Sequence, residues 1–142
     1  MADVHTADVR SYNMSRIRSK NTKPEMVVRK ALFAAGFRFR LHQKSLPGKP
    51  DIVLKKYKTV IMIHGCFWHG HNDCKYYVVP KTRTEWWVEK INHNKAVDKN
   101  NIKALRKLGW NVKVVYECEL KSKRLDSTIK KITRPLKRNH ND

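Results

Sequence analysis

The sequence is short of acidic residues, of cysteines and of long apolar runs. It has only 12 Asp and Glu against 32 Lys and Arg, which gives the 142-residue chain a formal net charge of +20. A chain with so few acids to balance its cations requires a polyanionic partner. Nucleic acid is the first candidate, because contacts between Lys or Arg and phosphate release condensed counterions. An anionic membrane surface is the rival.

The lack of long apolar runs argues against the membrane. No stretch approaches the ~18 consecutive apolar residues of a spanning helix, and the N-terminal sequence MADVHTADVR has no apolar signal-peptide region. We therefore expect a cytoplasmic protein. Its length and its hydrophobic content of 40% predict one domain with a modest core.

The three cysteines, an odd number, argue against a disulfide framework, and a reducing cytosol does not favour structural disulfides. The cysteines could therefore either bind a metal or simply be buried. Cys66 and Cys74 flank His71 in one short stretch, and Cys118 follows the last predicted strand. Zinc prefers tetrahedral thiolate and imidazole ligands. We therefore predict a structural Cys₃His zinc site made of Cys66, His71, Cys74 and Cys118, with buried cysteines and surface histidines as the alternative.

Turn and capping signals divide the chain into helices and strands. Thr-x-x-Glu capping boxes begin helices at Thr22 and Thr82, and Gly36 and Gly109 end them. Segments rich in β-branched or alternating apolar residues are predicted strands. They cover residues 37–42, 51–54, 59–63 and 110–117. The order helix, three strands, helix, strand predicts an α/β protein with a mixed sheet flanked by helices.

Basic segments flank this domain at both ends. We predict a basic DNA-contacting arm over residues 1–23, a central domain over residues 24–133 and a basic tail over residues 134–142. A short helix is predicted over residues 125–132, and Pro135 is expected to stop any helix that precedes it.

On so basic a chain, an acid in an apolar setting is informative. Asp51 begins a strand, and Asp98 falls on the inward stripe of the long helix, where a carboxylate is costly unless it is paired or binds a metal. Phosphodiester hydrolysis needs a cation, carboxylates that hold it and a base. Asp51 and Glu25 could hold Mg²⁺. His64 and His69 could transfer protons, because histidine ordinarily titrates near neutrality, and Asp98 could orient one of them.

Each acid also has a simpler explanation. Asp98 could form a structural ion pair with a nearby Lys or Arg. The capping box alone could explain Glu25, and a turn could explain Asp51.

Five segments, LPGKPDIVL, HGCFWHGH, PKTRTEWWVEKI, LGW and YECEL in this order, closely resemble the very short patch repair endonucleases, which nick DNA beside a T:G mismatch. The resemblance runs from about Met1 through Leu120. It implies a fold like that of the type II restriction endonucleases, with helices on both sides of a mixed sheet. Residues 24–133 would then be the catalytic domain, and Mg²⁺-dependent cleavage would fall on one strand, 5′ to the mismatched T.

The resemblance implies a role for each candidate residue. Asp51 would be the central metal ligand and Glu25 a contact to metal-bound water. His64 and His69 would be the catalytic histidines, with Asp98 as the partner of His69.

The usual Glu-x-Lys motif of restriction enzymes is absent from the strand after Asp51. In this family a histidine replaces the missing function, and His64 fits that substitution. Ile63 stands where some members have threonine, so it could bind magnesium only through its backbone carbonyl.

The resemblance also implies a structural and a DNA-reading role. The four predicted zinc ligands match the structural zinc ligands of the family. Phe67, Trp68 and Trp87 match side chains that are wedged into the base stack beside the mismatch. An apolar wedge has to unstack a base step, which costs least where pairing is already weak. The alternative is that these aromatics are core residues.

Other functions stay open. One is a nicking endonuclease without mismatch specificity, associated with a restriction system. Another is a zinc-stabilised DNA-binding module without chemistry. Mismatch-repair proteins and a cytosine methyltransferase are expected companions of the repair enzyme, and a monomer would suffice for a nick.

Overall fold

A computed structural model describes residues 22–72 and 74–140 of the chain. The predicted N-terminal arm, except for its last two residues, lies outside the described residues.

Four strands form one mixed sheet in the order β1-β2-β3-β4. The strands are β1 (Arg40–Leu41), β2 (Ile52–Leu54), β3 (Thr59–His64) and β4 (Asn111–Tyr116). The first three pair antiparallel, whereas β3 and β4 pair parallel. The predicted mixed sheet is therefore confirmed.

The first predicted strand, over residues 37–42, was too long. Only Arg40 and Leu41 join the ladder. At one end, the backbone N–H of Phe37 donates to the carbonyl of Leu32 and so belongs to the end of the preceding helix. At the other end, His42 adopts a left-handed backbone with φ 46°. A helix-end hydrogen bond at one end and a left-handed backbone at the other thus shorten the strand.

Three helices accompany the sheet. They are α1 (Lys23–Ala34), α2 (Thr84–Lys107) and α3 (Ser122–His140). Thr22 caps α1 as predicted, because its side chain accepts from the N–H of Glu25. The predicted capping box at Thr82 was wrong: the N-cap of α2 is Arg83, with a left-handed backbone and no side-chain capping bond.

The prediction that Pro135 stops a helix was also wrong. Pro135 lies inside α3. An internal proline removes a backbone hydrogen bond and costs about 3 kcal/mol. Ile132 and Leu136, on either side of it, are each only 3% exposed. The burial of this apolar face offsets the cost and carries the helix past the proline.

Both faces of the sheet are covered. On one face, α1 and α3 pack through Val28, Leu32 and Leu136. On the other face, α2 packs through Leu105. The α/β arrangement is consistent with the restriction-endonuclease-like fold that the sequence resemblance implied. Among the residues that the structure describes, no helix is long and apolar enough to cross a membrane.

Candidate active site

Asp51 lies at the start of β2, beside the end of β3. Its Oδ2 accepts a hydrogen bond of 2.7 Å from the backbone N–H of Ile63. Burial is the main cause that raises the pKa of Asp51 to about 6; the Ile63 N–H opposes this and the charge of Glu25 adds to it. A carboxylate held in this way is poised to accept a cation.

Glu25 reaches the same place from α1. The residue is only 2% exposed. Its Oε2 lies 2.8 Å from Nη2 of Arg29 and 2.9 Å from Nε2 of His42. The carboxylate therefore has partners other than the helix cap, and the capping box alone does not explain it.

His42 was missed by sequence reasoning. It follows β1, and its backbone N–H donates to the carbonyl of Asp51 at 3.3 Å. One signal could have found it: His42 ends the predicted strand that pairs with the strand after Asp51, and this places the two residues side by side. Arg29, one helical turn after Glu25, carried no comparable signal.

The carboxylates of Glu25 and Asp51 and the imidazole of His42 offer three ligand atoms that all lie within 4.8 Å of one another. Two of the three donors are hard oxygens, which Mg²⁺ and Mn²⁺ prefer. The two carboxylates also repel each other, since the charge of Glu25 raises the pKa of Asp51. A divalent cation fits this donor set and would relieve the repulsion.

The second group consists of His64, His69 and Asp98. His64 ends β3 and is 4% exposed. The rings of His64 and His69 stack with centroids 3.8 Å apart and planes 5° apart. Asp98 comes from α2 and accepts from Nδ1 of His69 at 2.6 Å. This contact keeps the proton on Nδ1 of His69 and leaves Nε2 for proton transfer.

His64 departs from the expectation that both histidines titrate near neutrality. Burial first, and then the neighbouring His69, lower the pKa of His64 to about 4, although Asp98 opposes the shift. Its Nδ1 is buried and has no hydrogen-bond partner among the described residues. A neutral ring with its proton on Nε2 leaves no buried N–H unsatisfied. At neutral pH, His64 is therefore suited to donate a hydrogen bond rather than to accept a proton.

The two groups share one open cavity of about 450 Å³. Asp51, His64, His69 and Asp98 all line it. Glu25 contacts its wall through His42. The structure thus brings together the five side chains that the sequence singled out for catalysis.

The four predicted zinc ligands also converge. Their ligand atoms lie within 4.8 Å of one another. The backbone N–H of Cys118 donates to Sγ of Cys66 at 3.3 Å, and Sγ of Cys118 lies 3.4 Å from Nδ1 of His71. Burial raises the pKa of the Cys66 thiol to about 12. Three thiols and an imidazole in one cluster form a donor set that fits zinc.

The predicted wedge residues form one aromatic cluster. The ring of Phe67 lies 5.3 Å from that of Trp68 and 5.4 Å from that of Trp87. Trp68 is 37% exposed, which is unusual for a core tryptophan. Trp86, which sequence reasoning did not select, packs 4.7 Å from Trp87 and is itself exposed. The cluster is a surface feature beside His69, not part of the core.

Comparison with known proteins gives a consistent result. A family model described as DNA mismatch endonuclease Vsr matches residues 2–76. Over 123 residues the chain is 54% identical to the type II nicking enzyme V.NmeAIP of Neisseria meningitidis, and the match covers 87% of each protein. Also over 123 residues, the chain is 46% identical to the DNA mismatch endonuclease Vsr of Escherichia coli, and this match covers 87% of the chain and 78% of that protein. The chain is 48% identical to the type II nicking enzyme V.XorIIP of Xanthomonas oryzae, and this match covers 84% of the chain and 88% of that protein.

We predict that Asp51→Asn stabilises the protein in the absence of added divalent cations. The amide keeps an acceptor for the Ile63 N–H but carries no charge. The folded-state pKa of Asp51 is about 6 against an ordinary value of 3.8. Ionisation therefore destabilises the fold fully above pH 6 and not at all below about pH 4. The melting temperature should rise by several degrees at pH 8, and the gain should disappear near pH 4.

Asp126→Asn is the control, because the Asp126 side chain is 87% exposed. It should change the melting temperature little at either pH. A lower melting temperature of Asp51→Asn at pH 8 would show that its neighbours stabilise the charged carboxylate, contrary to the expectation.

Proposed function

The chain belongs to the Vsr family of DNA mismatch endonucleases and is a DNA-nicking phosphodiester hydrolase, and from this premise we propose that it nicks one strand 5′ to the T of a T:G mismatch with the help of Mg²⁺. One observation supports the proposal above the others. Two acids and two histidines that suit phosphodiester hydrolysis line a single cavity beside an exposed aromatic cluster.

Asp51 and the backbone carbonyl of Ile63 would hold the magnesium ion, with Glu25 contacting a water bound to it. The Ile63 N–H points to Asp51. Because the N–H and C=O of a strand residue point to the same side, the Ile63 carbonyl faces the same edge. When bound, the cation supplies positive charge to the phosphate oxygens in the transition state.

The two histidines have different roles, one in proton transfer and the other in hydrogen bonding to the phosphate. His69 takes a proton from the attacking water at Nε2, while Asp98 holds the other ring nitrogen and stabilises the imidazolium that forms. As the water oxygen bonds to phosphorus, the bond from phosphorus to the leaving sugar oxygen breaks, and this oxygen takes up a proton from solvent. His64 stays neutral and donates from Nε2 to a phosphate oxygen. The pKa of about 4 supports this assignment, since a ring that resists protonation is a poor base at neutral pH.

Phe67, Trp68 and Trp87 would read the mismatch by entering the base stack. Unstacking a base step costs a few kcal/mol, and a wobble pair resists it least. Phe67 and Trp68 stand between the zinc ligands Cys66 and His71. We propose that zinc ties this loop to Cys118 at the end of β4 and so holds the wedge rigid.

A nicking endonuclease without mismatch specificity is the second candidate. Two of the relatives are named type II nicking enzymes, without mention of a mismatch. A non-catalytic DNA-binding module is not supported, because the family is one of endonucleases. We further propose that the protein acts as a monomer in a prokaryotic cytoplasm, together with mismatch-repair proteins and a cytosine methyltransferase.

A nicking assay on labelled duplexes tests the proposed reaction. End-labelled duplexes with a central T:G pair should be nicked 5′ to the T when Mg²⁺ is added, and matched C:G duplexes should not. His69→Ala should reduce the single-turnover rate by at least ~100-fold, the contribution of a general base. His93→Ala, an exposed histidine of α2, is the matched control and should keep the wild-type rate. Equal cutting of both duplexes would favour the second candidate.

Removal of one aromatic side chain tests the proposed wedge. Trp68→Ala should reduce the ratio of T:G to C:G cleavage by roughly 5- to 150-fold, because stacking on an aromatic side chain contributes about 1–3 kcal/mol. The melting temperature should change little, since Trp68 is 37% exposed. Tyr76→Ala removes another exposed aromatic side chain, at 44%, and should leave the ratio unchanged. An unchanged ratio in Trp68→Ala would exclude a wedge at this position.

Metal analysis tests the proposed zinc site. Elemental analysis of the purified protein should find one zinc per chain, and His71→Ala should lose it and melt at a lower temperature. His93→Ala should keep the metal, because this histidine is not one of the four clustered ligands. A wild-type protein without zinc after gentle purification would rule out the structural site.

A further inference from the structure

A second cavity, of about 740 Å³, adjoins the histidine pair. His64, His69 and Asp98 line both this cavity and the one that contains Asp51. Anything bound in the second cavity therefore lies against the same histidines that face the carboxylates.

One face of α2 lines this second cavity with cations. Lys95, Lys99, Lys103 and Arg106 follow one another at helical spacing. Neighbouring lysines of the series are four residues apart, which is about 6 Å along the helix axis. Asp98 is the one acid among the described residues that line the cavity, and it is hydrogen-bonded to His69. The wall therefore keeps a strong positive field.

The opposite wall is partly apolar. Val114 of β4 contributes aliphatic surface, and the ring of Tyr116, also of β4, stacks on that of His71 at 3.8 Å. A cationic wall facing an apolar wall suits an amphipathic anion. A nucleotide has this character, because its phosphates are charged while its sugar and base offer flat, weakly polar faces. The volume is within the usual range for a small-molecule site.

We propose that this cavity holds the nucleotide of the cleaved strand next to the scissile phosphate, with Lys99 and Lys103 on its phosphate and Tyr116 and Val114 against its sugar. The inference rests on the proposed function in one respect, which is that the histidine pair faces the scissile phosphate. An acidic segment of a partner protein would meet the same cations, but the shared histidine wall favours the substrate strand.

Binding measurements without Mg²⁺ test the proposal, because they need no nicking. Lys99→Gln and Lys103→Gln should each weaken binding to a T:G duplex by about 5- to 10-fold. Each should also reduce the slope of log affinity against log salt by about 1, as for a lysine on a phosphate. Lys131→Gln is the control, since this exposed lysine lies on α3, which covers the other face of the sheet. It should change affinity less than twofold.

A methylphosphonate scan locates the phosphate. Replacing the phosphate next to the scissile one by a neutral methylphosphonate should weaken wild-type binding, whereas Lys103→Gln should lose little more on the same DNA. This non-additivity is the signature of a direct contact.

Three outcomes would overturn the proposal. They are equal effects of Lys131→Gln and Lys103→Gln, additive effects of the lysine and methylphosphonate changes, or DNA binding indifferent to both lysines, which would leave an acidic protein partner for the cavity. Failure of the proposed function would look different: nicking would be absent or indifferent to the mismatch, while the salt slopes of the lysine variants would still change.

Discussion

The rest of the structure depends on the pairing of β3 with both of its neighbours. The antiparallel register with β2 places Asp51 beside the backbone of Ile63. The parallel register with β4 ends at His64, and two residues beyond that last pair Cys66 meets Cys118. A slip of one residue on either side would turn every side chain of the strand to the other face. One strand thus sets both the carboxylate site and the cysteine cluster.

The parallel pairing of β3 and β4 also requires a crossover, and α2 provides it. Its 24 residues run from the aromatic cluster to the start of β4. Trp87 near its N-terminal end belongs to the aromatic cluster, Asp98 in its middle bonds to the ring of His69, and Lys103 further on lines the second cavity. Because a helix is stiff, the distances between the aromatic cluster, Asp98 and the cationic wall of the second cavity are fixed together.

Much of this could be predicted from the sequence, since hydrophobic alternation and glycine punctuation are local signals. The mixed sheet follows from them, and the clustering of Cys66, His71 and Cys74 in one stretch, with Cys118 after the last predicted strand, predicted the convergence of the four zinc-ligand candidates. Tertiary packing decided the rest. The burial of Leu136 carries α3 past Pro135, the left-handed Arg83 moves the start of α2, and the low pKa of His64 comes from burial and from the neighbouring His69. His42 needed the strand pairing before it could be placed.

The site is held in an arrangement that its own charges oppose. Two acids, Glu25 and Asp51, lie close enough for the charge of Glu25 to raise the pKa of Asp51. The fold maintains this like-charge contact because hydrophobic packing around the sheet supplies more stability than the contact removes. The proposed divalent cation brings the missing opposite charge next to the acids, and the phosphate of the DNA would lie next to the histidines. The cation relieves a repulsion that the free protein contains and attracts the anionic DNA, so cation and DNA should favour each other's binding across His69, which lines both cavities.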